Sequence, residues 1–224
     1  MPLHGIVNRG NWIKQKEEKK KDSYLIEYTF IPEKDVITNN YPFDITLHLQ
    51  YTLSKSKLSI NAIVFNNGEA SATFSFGLHP YFKTAEKREI QLKVPCRKII
   101  ELHKQYLIPT GKQHHLNQQE FFLNSDKDYD TAFGSIDDYC AMITDFTLMN
   151  KIRIEFDSNI EMLILFSPAD SPFICLEPWT AGLGGFSYLN TKNFSESNLL
   201  FLEKGKEMNI KVTYSIENFL EDKI

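Results

Sequence analysis

Phe43-Asp44-Ile45-Thr46-Leu47-His48-Leu49-Gln50-Tyr51-Thr52-Leu53 alternates apolar and polar residues along its whole length. Phe43, Ile45, Leu47, Leu49, Tyr51 and Leu53 share one face and polar residues fill the other, the period-two pattern of a half-buried antiparallel strand. Leu58, Ile60, Ala62 and Val64 repeat it. Asn66-Asn67-Gly68 follows, and an Asn-Gly pair supplies the positive φ angles of a tight hairpin turn. Residues 70–76 are therefore expected as the return strand.

Further short strands are expected at residues 24–30, 89–94, 141–147, 151–157, 162–167, 173–176 and 208–216. Turn residues separate them at short spacing, which indicates an all-β antiparallel sandwich rather than βαβ units. The 17 Phe and 10 Tyr suit such a fold, because flat rings pack well on a pleated surface. Sustained 3.6-residue periodicity is missing, so helix is confined to short pieces around residues 114–122 or 188–194. No internal repeat and no linker rich in Gly, Ser or Pro interrupts the 224 residues, and one domain spanning 1–224 is expected. The stretch 104–138 is polar and irregular, with His114, His115 and a cluster of Asp residues, and is expected as a long loop.

A net charge of −4 argues against a general nucleic-acid or anionic-membrane binder. The one Lys-dense stretch, residues 14–21, is interleaved with Glu17 and Glu18 and is expected as a solvated loop. Cys96, Cys140 and Cys175 are widely spaced and form neither a disulfide framework nor a zinc-ligand pattern. Each is expected as a small apolar core residue. No apolar signal segment opens the chain and no apolar run is long enough to span a bilayer, so a cytoplasmic protein is expected.

Two segments carry chemistry. In Gly77-Leu78-His79-Pro80-Tyr81-Phe82 a strand ends at Gly77 and Pro80 cannot donate to a sheet ladder, so His79 stands where the chain leaves the sheet. An imidazole there is either a hydrogen-bonded structural histidine or a group that trades protons near neutral pH. In Cys175-Leu176-Glu177-Pro178-Trp179-Thr180, Glu177 closes an apolar run and precedes a proline. A carboxyl beside Trp179 and apolar neighbours is either a rim Glu next to a packed Trp, or a base of raised pKa with a flat apolar face for a sugar ring beside it.

Together these segments resemble the aldose 1-epimerase (galactose mutarotase-like) superfamily. Residues 77–82 look like its "G-x-H-P-Y-F" stretch, which carries the general-acid histidine, and 175–179 resemble the later "E-P-W" stretch with the catalytic glutamate. Leu3-His4-Gly5 with Trp12 is similar to the family's "H-G…W" segment, whose histidine contacts sugar. Residues 201–207 and the strand after them look like its closing Gly turn and final strand. The similarity runs end to end; only three residues precede His4, so the family's usual N-terminal strands and sugar-binding arginine are not expected in this sequence.

The resemblance implies an antiparallel β-supersandwich, no cofactor and no metal, and interconversion of the α and β anomers of an aldose. His79 would protonate the ring oxygen while Glu177 takes the anomeric hydroxyl proton. Asp130 is the best match to a mid-chain acid that binds sugar hydroxyls, with Asp128 as competitor, and His4, Arg9 and Trp179 complete the substrate contacts. Members acting on hexose 6-phosphates carry an arginine four residues after the first histidine. Asn8 stands there and Arg9 follows, which favours an unphosphorylated or unknown aldose, with a hexose-6-phosphate 1-epimerase as the alternative. Two other functions fit the same residues: a catalytically silent carbohydrate-binding protein, or a β-sandwich interaction protein pairing through an exposed edge. Loss of N-terminal strands would leave an edge that favours a homodimer.

Overall fold

The computed structural model describes residues 4–8, 10–33, 41–103, 108–182, 184–188 and 198–218. Contacts divide the chain into two compact units, Met1–Phe74 with Leu200–Thr213, and Ser75–Leu199 with Tyr214–Ile224. Among the described residues regular structure is β-strand apart from two 3-10 turns, Lys87–Glu89 and Gly185–Tyr188. The all-β antiparallel expectation holds.

In the first unit, β1 (Trp12–Lys19), β2 (Tyr24–Phe30), β3 (Ile45–Ser54) and β4 (Lys57–Asn66) form a meander, and β5 (Ala72–Phe74) follows. The alternation that opens the chain's argument for sheet is realised in β3, whose Ile45, Leu47 and Leu49 are buried. The β3–β4 hairpin turns through Lys55-Ser56, with Lys55 at φ 40° and Ser54 paired to Lys57. The Asn-Gly pair makes no hairpin. Asn66 instead uses its side chain: Oδ1 accepts from the Gly68 N–H at 2.9 Å, and Nδ2 donates to the carbonyls of Ala70 and Leu202 at 2.8 and 2.9 Å. The chain is thereby carried away from β4, and β5 pairs with a later strand. Residues 14–21 also depart from expectation. They belong largely to β1, a strand whose charged side chains stay in water and pair with one another. Mixed charge is compatible with an edge strand, where it discourages further pairing.

The second unit contains β6 (Phe82–Lys83), β7 (Ile90–Lys93), β8 (Cys96–Leu102), β9 (Pro109–His115), β10 (Glu120–Phe122), β11 (Tyr129–Ile136), β12 (Cys140–Asp145), β13 (Asn150–Phe156), β14 (Met162–Ser167) and β15 (Phe173–Trp179). The expected loop at 104–138 therefore holds three strands, and 114–122 holds strand rather than helix. Of 188–194 only Tyr188 lies within the described residues, closing a 3-10 turn. Strands β16 (Leu200–Leu202) and β17 (Glu207–Asn218) finish the chain, and β16 is the partner of β5.

A six-stranded sheet runs β6-β15-β14-β11-β8-β9, and a second layer runs β13-β12-β7-β10. Period-two alternation splits β14 and β15 between two apolar faces. Leu163, Leu165, Ile174 and Leu176 are fully buried on one side. Met162, Ile164 and Ala132 form a separate cluster on the other, with Ile100, Leu102 and Trp179 packed against it. That second face carries the site.

Asn66 is 1% exposed, and its amide serves three backbone groups, of which the Leu202 carbonyl is buried away from water. Asn66→Ala is expected to destabilise the chain by about 2–4 kcal/mol, the cost of orphaning buried polar groups. Urea unfolding of the two proteins side by side checks this.

Candidate functional site

Two pairings frame the site. Gly77 forms an antiparallel bridge with Trp179, and Phe82 pairs with Ile174. Both belong to one register, so the four residues between them run opposite Leu176's neighbours in step. His79 falls across from Glu177 and Tyr81 across from Cys175. Directly opposed residues of an antiparallel pair project to the same face, which is how a loop histidine meets a strand carboxyl. The crossing is fastened by Leu78 N–H to the Pro178 carbonyl at 3.2 Å, Thr180 N–H to the Phe76 carbonyl at 2.9 Å, and Phe76 N–H to Thr180 Oγ1 at 2.9 Å. Gly77 allows the close approach, since a Cβ there would lie 2.8 Å from Trp179 Cδ1.

His79 Nε2 stands 3.3 Å from Glu177 Oε1, and Trp179 Nε1 donates to the other carboxyl oxygen, Oε2, at 3.1 Å. The Tyr81 ring stacks on His79 with centroids 4.8 Å apart and planes 11° from parallel, and Phe166 meets His79 edge-on at 6.2 Å. The imidazole is thus held in plane while its side chain stays 30% exposed. Glu177 is 1% exposed. Its carboxyl is pushed up to about 8: burial is the main cause, the Trp179 hydrogen bond works against it, and the charge of Asp130 adds to it.

Asp130 reaches the same face by register. It pairs with Phe166, which pairs with Cys175, while Ala132, Ile164 and Glu177 make the adjacent row. Asp130 is open to water, yet partial desolvation raises its carboxyl above the ordinary value. Asp128 serves elsewhere, accepting the Ala169 N–H at 2.7 Å. His79, Glu177, Trp179 and Asp130 therefore belong to one face of the second unit. His4 belongs to the first unit, where it is exposed with φ 64°, and Arg9 lies outside the described residues. The sequence left Tyr81, Phe166 and Cys175 unassigned. Tyr81 and Cys175 each stand two residues from a candidate, a spacing that marks a shared strand face.

The arrangement can hold and pass protons between an imidazole and a carboxyl at the rim of an apolar floor. One nitrogen of His79, Cys175 Sγ and one oxygen of Glu177 also lie within 4.8 Å of one another, close enough to share an ion. Among the described residues no helix is long and apolar enough to cross a membrane.

Residues 1–215 match the family described as aldose 1-epimerase. The chain belongs to the aldose 1-epimerase family. Solved structures of the same fold include the Slr1438 protein of Synechocystis sp. PCC 6803, with TM-score 0.78 and 25% identity over 92% of this chain and 66% of that one. A galactose mutarotase-like protein from Clostridium acetobutylicum gives 0.83 and 20% over 96% and 69%. The galactose 1-epimerase of Lactobacillus acidophilus NCFM gives 0.70 and 15% over 92% and 66%. This member of the family thus spans 66–69% of the length of these relatives. No curated protein matches it.

The raised Glu177 carboxyl carries a stability consequence. The folded chain keeps a proton that the unfolded chain releases above about 4.5, so folding binds protons between about 4.5 and 8. Stability from this group is fully present below about 4.5 and is lost as pH rises through about 8. Wild type is expected to lose Tm across that window more steeply than Glu177→Gln, whose amide cannot ionise. Melting curves of both proteins at several pH values check it.

Proposed function

We propose that the protein is an aldose 1-epimerase, interconverting the α and β anomers of an aldose by acid–base ring opening, without a cofactor. The observation that carries this is the 3.3 Å contact between His79 Nε2 and Glu177 Oε1. The anomeric hydroxyl oxygen and the ring oxygen of a cyclic aldose are bonded to one carbon. An acid and a base serving them must therefore stand side by side, as these two do.

In the reactive state His79 carries the proton and Glu177 is ionised. His79 gives its proton to the ring oxygen as Glu177 takes the proton of the anomeric hydroxyl. The bond between the anomeric carbon and the ring oxygen breaks, and an open-chain aldehyde forms. Rotation about the bond next to the aldehyde presents its other face. Closure then returns the proton from Glu177 to the new anomeric oxygen and the ring-hydroxyl proton to His79. A carboxyl raised toward the working pH is a stronger base than an exposed one. Trp179 and the apolar cluster beside it offer a flat surface to the sugar's C–H face, and Asp130 offers an acceptor to its hydroxyls. The substrate would be a free sugar of the cytoplasm.

The test is the rate at which freshly dissolved α-glucose, α-galactose and glucose 6-phosphate approach their equilibrium rotation. Wild type is expected to accelerate at least one of them, and Glu177→Gln to be slower by roughly 10²–10⁴-fold. Sugar binding with no acceleration would identify a silent carbohydrate-binding protein instead. Acceleration confined to glucose 6-phosphate would identify a hexose-6-phosphate 1-epimerase.

The pH profile tests the pair directly. Below about 8 the His79–Glu177 pair retains the proton it needs, and above that pH the last proton leaves and kcat/KM falls. The Trp179 hydrogen bond favours the ionised carboxyl, so Trp179→Phe is expected to move this alkaline limb to higher pH, and a limb that stays put would remove Trp179 from the tuning of Glu177.

A further inference from the structure

His79, Glu177 and Cys175 were brought together for different reasons. The first two oppose each other across the register that Gly77 and Phe82 set. Cys175 precedes Glu177 by two residues on β15, and alternation turns both side chains to one face. The sugar chemistry proposed above uses only the imidazole and the carboxyl. It leaves beneath Tyr81 a buried thiol with no part in the reaction.

We propose that these three residues form a binding site for zinc or a similar thiophilic divalent cation, and that its occupation switches the site off. The donor set is a nitrogen, a sulfur and an oxygen, the ligands zinc favours, with three protein donors leaving a fourth position for water. Donor atoms around a tetrahedral zinc stand about 3.3–3.8 Å apart, given Zn–S and Zn–N bonds of about 2.3 and 2.0–2.1 Å. The His79–Glu177 separation of 3.3 Å is already in that range, and no pair among the three exceeds 4.8 Å. Closing the widest gap requires about 1 Å of movement among the three donor side chains. The thiol proton and the proton held by Glu177 leave to solvent as the ion takes up the thiolate and the carboxylate. The thiolate selects zinc, cobalt or cadmium over magnesium and calcium, which prefer oxygen donors. An ion bound there holds the lone pairs through which His79 and Glu177 move protons. Only this inhibition rests on the proposed function; the binding does not.

The experiment titrates the full chain with Co²⁺ as a spectroscopic stand-in for zinc, then repeats the anomerisation assay with Zn²⁺. Wild type is expected to take one Co²⁺, with a thiolate-to-cobalt charge-transfer band in the near ultraviolet and the d–d absorption of a tetrahedral site. Excess Zn²⁺ should displace it and excess Mg²⁺ should not. Cys175→Ala should abolish the charge-transfer band, keep anomerisation within about threefold of wild type, and raise the Zn²⁺ concentration for half-inhibition at least tenfold. His79→Ala, at a half-exposed position that leaves β15 intact, should weaken Co²⁺ at least tenfold, and Cys140→Ala should change neither. A wild-type protein without the band, or a band that survives in Cys175→Ala, overturns the site. A band in a chain that accelerates no sugar upholds the site and removes the proposed function. Activity without a band does the reverse.

Discussion

A carboxyl removed from water is costly to ionise, and around Glu177 the second unit is arranged to hold that cost within bounds. Both oxygens have a neighbour, His79 Nε2 on one and Trp179 Nε1 on the other. Leu176 and Pro178 on either side in sequence belong to a strand with apolar residues on both faces, so β15 cannot rotate the carboxyl out to solvent without dismantling two layers. The His79 partner comes from a segment with no ladder of its own, held at its two ends by pairing to β15. Position and protonation are therefore fixed by the same strand. A proton kept above the ordinary carboxylate range stabilises the fold, and releasing it readies a base. In this family member the two cannot both be maximal at one pH.

Much of the fold was legible because alternation is a local signal. Residues 24–30 and 162–167 coincide with β2 and β14, and Ile45, Leu47 and Leu49 of β3 are buried as the alternation predicts, whereas Leu53 near the hairpin is 52% exposed. The failures have physical causes. Strand β1 carries charge because it is an edge, and an edge strand needs no apolar stripe to the same degree. Asn67-Gly68 was read for the backbone angles that Asn-Gly permits, whereas the preceding Asn66 governs the turn through three hydrogen bonds of its amide that redirect the chain. Within 104–138, β9 is exposed and polar, so its sheet character comes from its partner β8, and β10 is only three residues long, too short for alternation to register.

The candidate site was legible to a different degree. His79 and Glu177 each announced themselves through a following proline, although β15 runs on through Pro178 to Trp179 and Glu177 is not at its end. Nothing in either segment says that the two meet, because register between β15 and residues 77–82 is a tertiary property. Once the register is known, Tyr81 and Cys175 follow from counting by two. Asp130 over Asp128 follows in the same way, since only the former lies in β11 opposite Phe166.

The face itself suits a ligand with two kinds of surface. Ala132, Ile164 and Met162 make a floor of small and medium apolar side chains, and Gly134 lies against Ile100 so closely that a Cβ would come within 3.0 Å. Floor residues that stay low leave depth beside Glu177. The polar groups stand at the margins: Glu177 and His79 at one side, Asp130 two strands away across Phe166. A pyranose has an apolar face of C–H bonds and a rim of hydroxyls, and an apolar floor with polar margins is its complement. The thiol of Cys175 is turned to the same face but plays no part in holding the sugar, and it becomes a donor atom when a soft cation takes the sugar's place.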